Sequence, residues 1–434
     1  MTRTFAAVLI TTCFCGSTQA QMTKRSPAPA PSFIKAGRLI DTKAGTVLEK
    51  QGIIIVGGRI QAVGPLAEME GKAPAGAKVI DLSGKTVLPG LSDCHTHVLL
   101  QGDVTNEEYD EQILKESTPY RAIRATAAVR IALMNGFTAI RDLETEGAMY
   151  ADVDVKRAIA RGVIPGPRMW CATRAFAPTG MYPVMGYSWE LKMPEGVQII
   201  DGPDAIRKAV REQVKYGADL IKFYCDRRYY MKDGALHSWV NFTDEEMAAM
   251  IGEAHRLGKP VAAHAMGREG IDAALRHGAD TIEHGDGLDE ELMDRMVKQG
   301  TFWCPTIYVG VWVMEGRGQL WKDMADVEAK AFAKAVKKGV KIAYGTDAGG
   351  YPWTENQAKE LDYMVKYGMT TMQAVQSATT VAADLLGTTE TMGVIAPGMH
   401  ADIIAVDKDP LADITELQRV TFVMKGGEVY KGEK

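Results

Sequence analysis

The sequence has little net charge and few cysteines, and both features narrow the protein classes to consider. In 434 residues, 50 Lys and Arg stand against 55 Asp and Glu, a net charge of −5. Without a basic excess, a nucleic-acid partner is not expected. The cysteines include no C-x-x-C pair, and the four beyond position 20 are widely spaced in apolar runs. This pattern predicts buried free thiols and no disulfide framework.

Three motifs are missing as well. No run of 18 apolar residues follows the first twenty positions, so no membrane partner is expected once these are removed. No G-x-S-x-G is present, so nothing indicates the nucleophile elbow of a serine hydrolase. No G-x-G-x-x-G follows the first apolar strand of the middle segment, which disfavours a doubly wound dinucleotide-binding sheet.

The first twenty residues have the pattern of a signal peptide. Arg3 supplies a positive charge, residues 5–15 form a short apolar stretch, and Thr18-Gln19-Ala20 places small residues at a cleavage site. A buried N-terminal helix is the alternative. Residues 21–32 are rich in Pro and Ala and resemble a linker. The sequence therefore predicts an exported protein, either periplasmic or secreted.

The rest of the chain predicts an α/β protein with two parts. Residues 33–88 and 389–434 hold short apolar runs broken by Gly and Pro, which predicts one small β-sandwich built from both termini. Residues 89–388 repeat a unit in which a helix ends at Gly and an apolar strand follows, as at Gly217 before 219–223. Seven such units follow a first strand that ends near His97, and the resulting eight strands are the pattern of a (β/α)8 TIM barrel. An open doubly wound sheet is the alternative.

Candidate metal ligands end several of the predicted barrel strands. His95 and His97 are two residues apart, so on a strand both imidazoles face the same side and can hold one ion. Functional groups of a TIM barrel gather at the C-terminal ends of its strands. The predicted metal ligands are His95, His97, Lys222, His264, His284 and Asp347.

Lys222 lies inside an apolar strand, where an unmodified ammonium is costly. One interpretation is an ion pair with a nearby carboxylate. The other is carboxylation by CO2, which gives a carbamate anion able to bridge two cations. The spacing of the residues leaves both interpretations open.

Together these motifs resemble the amidohydrolase superfamily over residues 33–434, within the branch of imidazolonepropionase-like enzymes and metal-dependent dipeptidases, including Xaa-Pro dipeptidases and carboxypeptidases. Within that branch the chain is most similar to exported enzymes that hydrolyse ochratoxin A, a phenylalanine amide. The matching stretches are Leu88-Pro-Gly-Leu-Ser-Asp-Cys-His-Thr-His97, Gly217-Ala-Asp-Leu-Ile-Lys-Phe-Tyr224, Ala263-His-Ala265, Ile282-Glu-His284, Gly345-Thr-Asp-Ala-Gly349 and Gly393-Val-Ile-Ala-Pro-Gly-Met-His-Ala-Asp-Ile-Ile404.

The resemblance implies a TIM barrel beside a β-sandwich, a homo-oligomer, and a binuclear centre that usually holds zinc. By position, one ion is held by His95, His97 and Asp347, and the other by His264 and His284. Carboxylated Lys222 and a hydroxide bridge the two ions. Two cations lower the pKa of the bridging water, and Asp347, the predicted catalytic residue, takes its proton and passes it to the leaving amine.

Four further residues are predicted to bind substrate. Tyr224 shares the inward strand face of Lys222, and Arg227 and Arg228 follow in what we expect to be the strand-4 loop. A tyrosine and an arginine there can hold a carboxylate, although a solvated loop is the alternative. Tyr182 stands where many branch members carry a histidine that contacts substrate, which disfavours simple Xaa-Pro specificity.

These residues predict a small-molecule substrate with a free carboxylate. We expect hydrolysis of the bond to a C-terminal amino acid, in a dipeptide or an N-acyl amino acid such as ochratoxin A, which would yield L-phenylalanine and ochratoxin α. Two alternatives remain open. One is a cyclic amide or lactone hydrolase of the imidazolonepropionase-like type, and the other is a non-catalytic binding homologue that kept the barrel.

Overall fold

The computed structural model describes residues 29–102, 104–182 and 187–432. The predicted signal peptide and residues 21–28 of the predicted linker lie outside the described residues. The strands are β1 (Ser32–Asp41), β2 (Thr46–Val56), β3 (Arg59–Pro65), β4 (Lys78–Pro89), β5 (Leu91–Thr96), β6 (Phe137–Asp142), β7 (Arg168–Cys171), β8 (Phe176–Ala177), β9 (Gln198–Ile199), β10 (Ile221–Tyr224), β11 (Asp226–Lys232), β12 (Ala235–Val240), β13 (Val261–Ala265), β14 (Thr281–His284), β15 (Phe302–Cys304), β16 (Lys341–Ile342), β17 (Ile403–Val406), β18 (Phe422–Lys425) and β19 (Glu428–Lys431).

Helices alternate with the strands through the middle of the chain. They are α1 (Leu66–Glu70), α2 (Asn106–Lys115), α3 (Thr118–Met134), α4 (Ala151–Ala160), α5 (Pro203–Tyr216), α6 (Asp244–Arg256), α7 (Arg268–His277), α8 (Glu290–Gln299), α9 (Ile307–Arg317), α10 (Gln319–Lys338), α11 (Lys359–Lys366), α12 (Thr371–Gln376) and α13 (Ala382–Leu385), with a π-helical stretch at Ser377–Val381 and a 3-10 helix at Ile414–Arg419. Within the described ranges, none of the helices combines the length and apolarity that a membrane crossing needs.

One sheet draws its strands from both ends of the described chain. Its order is β19-β18-β17-β4-β1-β2-β3, and β17 pairs antiparallel with β4, with Ile404 opposite Leu88. The sheet curls on itself, because the Ile60 N–H of edge strand β3 donates to the Met399 carbonyl at 2.9 Å, shortly before β17. Apolar and β-branched side chains fill the enclosed face, as expected for a pleated surface with one buried side. These include Ile34, Ile53, Ile80, Ile403 and Phe422.

The middle of the chain closes into a barrel. Parallel strands run in the orders β5-β6-β7 and β16-β15-β14-β13-β10-β8-β9. Two backbone hydrogen bonds join these sets: Asp219 N–H donates to Cys171 O, and Cys94 N–H donates to Tyr344 O, each at 2.8 Å. Strands β7 and β8 together form one barrel strand, because β7 pairs with β6 and β8 pairs with β10. The barrel therefore has eight strands within the described residues. The prediction of a TIM barrel with a β domain from both termini is confirmed.

The helix–Gly–strand repeat has the predicted backbone geometry. Helices α5, α7, α8 and α10 each end at a glycine in the left-handed conformation, with φ of 111° at Gly217 and 77° at Gly300. A side chain there would be strained, so glycine ends the helix and turns the chain back toward the barrel. The four cysteines beyond position 20 are buried and free, as predicted.

Candidate metal centre

The barrel brings all six predicted metal ligands to one cavity of about 690 Å³. His95, Lys222, His264 and His284 lie on four different strands, and His97 and Asp347 follow strands directly or within a short loop. The cavity lies at the C-terminal ends of these strands, where TIM barrels carry their functional groups. The strands that carry them are β5, β10, β13 and β14.

Three of these residues form a compact set of possible ligands. His95, His284 and Asp347 each offer a ligand atom, and these atoms lie within 4.8 Å of one another. His97 joins them, because its Nε2 lies 3.0 Å from Asp347 Oδ1, while His95 Nε2 lies 3.5 Å from the same oxygen. Imidazole nitrogens and a carboxylate oxygen are the donors that zinc and related ions prefer.

The remaining predicted ligands adjoin this set. The ring centroids of His264 and His284 are 4.5 Å apart, and those of His95 and His284 are 4.9 Å apart. Lys222 is 1% exposed and lines the cavity. Among the described residues, no carboxylate oxygen lies within 4.0 Å of Lys222 Nζ. The ion-pair interpretation of this lysine therefore lacks a partner.

The backbone is strained where it delivers two of these side chains. His284 has a φ of 68° and Asp347 a φ of 59°, and Thr306, which bonds His284, has a φ of 58°. Residues with a side chain rarely occupy this left-handed region, and such strain concentrates at functional sites. At His284 the left-handed backbone conformation changes where the side chain points. Glu283 already points inward on the strand, and the left-handed backbone brings the next side chain into the site too.

A second layer of groups orients the imidazoles. His95 Nδ1 lies 2.8 Å from Glu283 Oε2, and Arg141 donates to Glu283 Oε1 at 2.7 Å. Burial alone would raise the pKa of Glu283, but Arg141 and His95 hold it well below its usual range. An ionised carboxylate only accepts, so Nδ1 carries the proton and Nε2 keeps its lone pair for an ion.

The other two strand-borne imidazoles also have one ring nitrogen engaged. His284 Nδ1 lies 2.9 Å from Thr306 Oγ1, and His264 Nε2 lies 2.6 Å from the Tyr229 hydroxyl. Each ring therefore keeps its second nitrogen available. Partners of this kind fix ring orientation and tautomer at metal sites.

The charges of the site fit a bound cation. Burial lowers the pKa of His97, but the carboxylates of Asp347 and Glu146 outweigh burial and raise it to about 10. His97 Nδ1 is buried without a hydrogen-bond partner. The surrounding carboxylates therefore favour a positive charge at His97, and a divalent ion would supply it and leave the imidazole neutral. The donor set, its convergence and its charge thus fit a metal centre.

The sequence model of the amidohydrolase family matches residues 86–430, which is most of the chain. The chain belongs to the amidohydrolase family. Members of this family generally use divalent metal ions, in agreement with the ligand cluster found here.

Individual amidohydrolases support the same assignment. Ochratoxinase of Aspergillus niger is 32% identical over 375 residues, covering 80% of this chain and 76% of the relative. The crystal structure of a Xaa-Pro dipeptidase with bound methionine has a TM-score of 0.82 and 33% identity, covering 93% of this chain and 100% of the other. Imidazolonepropionase of Paracoccus denitrificans is 26% identical, covering 89% and 94%. The chain is thus a hydrolase acting on C–N bonds, and the non-catalytic alternative is set aside.

The predicted substrate residues of this amidohydrolase line the same cavity. The guanidinium of Arg227 lies 4.4 Å from the Tyr182 ring centroid and 5.3 Å from that of Tyr224. Both tyrosines are buried, Arg227 is half-buried, and Arg228 is exposed. The two rings hold the Arg227 side chain against the cavity wall by stacking and cation–π attraction.

The prediction of a loop at Arg227 and Arg228 is wrong. Both lie on β11, which pairs antiparallel with β12. The turn is Asp233-Gly234, with φ of 51° and 78°, because Lys232 pairs with Ala235 across a two-residue connection. Asp-Gly between two short runs is a strong hairpin signal. The sequence contained this signal, but the aromatic and basic residues of β11 obscured the strand.

Sequence reasoning missed several groups of the site. Tyr224 donates to Glu144 at 2.6 Å, and Glu146 Oε2 accepts from Tyr109 at 2.7 Å and from Tyr182 at 3.1 Å. Glu144 and Glu146 lie two residues apart just beyond β6, the same spacing that singled out His95 and His97. That spacing could have identified the glutamates, whereas nothing near Tyr109 in the sequence indicates its role.

Proposed function

We propose that this amidohydrolase is an exported binuclear zinc enzyme that cleaves the amide or peptide bond of a C-terminal amino acid. Its substrate is a small molecule with a free carboxylate, either a dipeptide or an N-acyl amino acid such as ochratoxin A. The similarity to ochratoxinase and to a Xaa-Pro dipeptidase supports the substrate class. The signal-like pattern of residues 1–20 supports export.

The observation that carries the proposal is an unpaired arginine in the wall of the cavity. Among the described residues, no carboxylate lies within 4.0 Å of the Arg227 guanidinium, and its Nε is buried without a hydrogen-bond partner. A desolvated guanidinium is costly unless it gains an anionic partner. The planar guanidinium can donate two parallel hydrogen bonds to a carboxylate, so a substrate carboxylate would supply the missing partner.

The metal-binding roles that we propose are those that the family resemblance implies, and the convergence of the side chains in one cavity supports them. His95, His97 and Asp347 would hold one ion, and His264 with His284 the other. Buried Lys222, as a carbamate, would supply the bridging ligand. Two divalent ions bound there would lower the pKa of a water molecule and polarise the scissile carbonyl.

Asp347 is suited to proton transfer. Burial raises the pKa of Asp347, but His95 and His97 outweigh burial and hold it well below its usual range. The residue is therefore a carboxylate at neutral pH and can accept a proton at an oxygen that faces the cavity. Passing that proton to the departing nitrogen allows the amine to leave as a neutral group.

Replacing Arg227 tests the proposal. For Arg227→Met we expect kcat/KM toward N-acyl phenylalanine to fall at least about 30-fold, because the substrate carboxylate loses its charged partner. Hydrolysis of a neutral lactone should change much less. Arg227→Lys keeps the positive charge but loses the planar guanidinium, so its kcat/KM should lie between those of the wild type and Arg227→Met. Arg228→Met, at the exposed neighbour, is the matched comparison and should lose less activity than Arg227→Met.

A cyclic amide or lactone hydrolase remains the second candidate, favoured by the similarity to imidazolonepropionase. The same variants separate the two functions. Efficient hydrolysis of neutral lactones, with equal losses of both activities in Arg227→Met, would support the second candidate and contradict carboxylate recognition.

A further inference from the structure

Two buried carboxylates outside the predicted metal and carboxylate sites line the same cavity. Glu328 is 3% exposed and Asp286 is 6% exposed. Glu328 is on the core-facing side of α10, beside Met324 and Ala331, a stripe that is otherwise apolar. Asp286 follows β14 in the loop after His284. Neither position has an evident structural need for a charge.

Neither carboxylate has a cationic partner. Among the residues that the structure describes, no Lys, Arg or His nitrogen lies within 4.0 Å of Asp286 or Glu328. Glu328 Oε1 is also buried, with no hydrogen-bond partner in the described part of the chain. Burial, and then the nearby charge of Asp286, raises the pKa of Glu328. Among the described residues, both acids thus lie in the cavity wall without a basic nitrogen in contact.

The structure also leaves room in front of Glu328. Gly310 lies inside α9 and lines the cavity, and a Cβ atom there would lie 3.8 Å from Glu328 Oε2 with nothing else within 4 Å. Glycine inside a helix is destabilising relative to alanine. Its presence keeps open the space that the carboxylate faces.

Basic and acidic side chains line the same cavity. Arg227 follows β10, Asp286 follows β14, and β13 with His264 lies between those strands in the sheet. Two strand spacings therefore separate the ends of these strands by roughly 10 Å. A molecule bound in this cavity could contact the Arg227 cation as well as the two acids.

We propose that Asp286 and Glu328 form a binding site for a cationic nitrogen of the substrate, opposite the carboxylate held by Arg227. The inference rests on the proposed function and narrows its substrate class. A zwitterionic dipeptide carries an ammonium and a carboxylate on opposite sides of its peptide bond, so it satisfies both ends. An N-acyl amino acid without a basic group offers these two acids no cationic partner and gains no charge-assisted contact from them.

Three matched substrates test this proposal: alanyl-phenylalanine, N-acetyl-alanyl-phenylalanine and N-acetyl-lysyl-phenylalanine. The metal-loaded wild-type enzyme should cleave the free dipeptide with a kcat/KM at least about tenfold above that of the acetylated one, since one charge-assisted contact is lost. If the site takes a side-chain cation, N-acetyl-lysyl-phenylalanine regains that rate. If it takes the α-ammonium, that substrate stays slow.

Variants then assign the effect to this site. Glu328→Gln and Asp286→Asn should each reduce the ratio of kcat/KM between the free and acetylated dipeptides by about tenfold. Gly310→Leu should reduce the same ratio by filling the space without changing charge. Asp326→Asn, on an exposed position of α10, is the control and should keep the wild-type ratio. Thermal midpoints of all variants verify that each is folded.

Equal wild-type rates with charged and acetylated substrates would overturn the cation site, as would an unchanged ratio in folded Glu328→Gln. Cleavage of N-acyl amino acids would still stand in that case, and the proposed function with it. If the metal-loaded enzyme cleaves none of the three substrates and no other N-acyl amino acid, the proposed function itself fails. The two failures are therefore distinguishable.

Discussion

Lys222 shows how a single buried side chain can indicate a modification. Burial lowers the pKa of its amine, and the structure places it in the same cavity as the imidazoles, with no carboxylate of the described residues within 4.0 Å. A neutral amine is the form that adds CO2. The product is an anion, which suits a position between two cations and removes the cost of a buried ammonium.

We expect zinc reconstitution to depend on bicarbonate. Metal-free protein in CO2-free buffer should regain little activity with zinc alone and should regain most of it when bicarbonate is added, because the carbamate must form first. Activity and zinc content per chain are the measurements. Lys222→Met is the control, since it cannot respond to bicarbonate. Full reconstitution without CO2 would contradict the carbamate.

Glu283 is a second residue with an effect beyond its own position, because it bonds both His95 and Arg141. Glu283→Gln should weaken zinc retention about 10- to 100-fold, the usual effect of removing a partner of a metal-ligating histidine. It should also reduce the thermal midpoint, since Arg141 loses its ionised partner. Equilibrium dialysis with metal analysis measures the first effect. Glu390→Gln, at an exposed position, should change neither.

At the scale of elements, Asp93 connects β5 to the segment that carries Asp347. Its carboxylate accepts hydrogen bonds from the Thr346 hydroxyl at 2.6 Å, from the Thr346 N–H at 3.1 Å and from Gln357 at 2.5 Å. It also accepts from the His95 N–H at 3.1 Å. One buried carboxylate therefore fixes the distance between the first strand and the loop after the last one.

Asp93→Ala should reduce the free energy of unfolding by roughly 3 kcal/mol, because several buried donors lose their acceptor. It should also lower kcat more than KM is raised, since Asp347 loses its position while the substrate contacts at Arg227 remain. Urea unfolding of the metal-free protein and steady-state kinetics measure these effects. A variant with wild-type kinetics and reduced stability would show that Asp93 is purely structural.

At the scale of the whole molecule, the barrel does not depend on the metal for closure. Backbone hydrogen bonds join neighbouring strands around the barrel, and the strands and helices pack over a continuous apolar core. The metal ligands lie at one end of this ring. The apolar core therefore accounts for the fold, and under the proposed function the ions would serve the chemistry.

Chelation should consequently abolish hydrolysis and leave the far-ultraviolet circular dichroism unchanged. The thermal midpoint should decrease, because ions that bind the folded state stabilise it by mass action. Zinc with bicarbonate should restore activity. Undiminished turnover in protein shown by metal analysis to be free of divalent ions would contradict the metal-dependent mechanism.

The sequence by itself determined the barrel, the small β domain built from both termini and the strand ends that carry the candidate ligands. Two kinds of local signal could be recognised from the sequence alone. They are the glycines that end helices, such as Gly217, and the two-residue spacing of His95 and His97. The turn signal at Asp233-Gly234 was also present in the sequence, but the aromatic and basic residues of β11 obscured the strand before it.

Only the tertiary structure decided which distant groups meet. Glu283 contacts His95 across 188 positions of sequence, and Asp286 and Glu328 come from different elements to line one cavity. That no described carboxylate contacts Lys222 or Arg227 is likewise a property of the packed molecule. Whether a charge is paired depends on neighbours brought together by barrel closure, and these contacts have no local pattern in the chain.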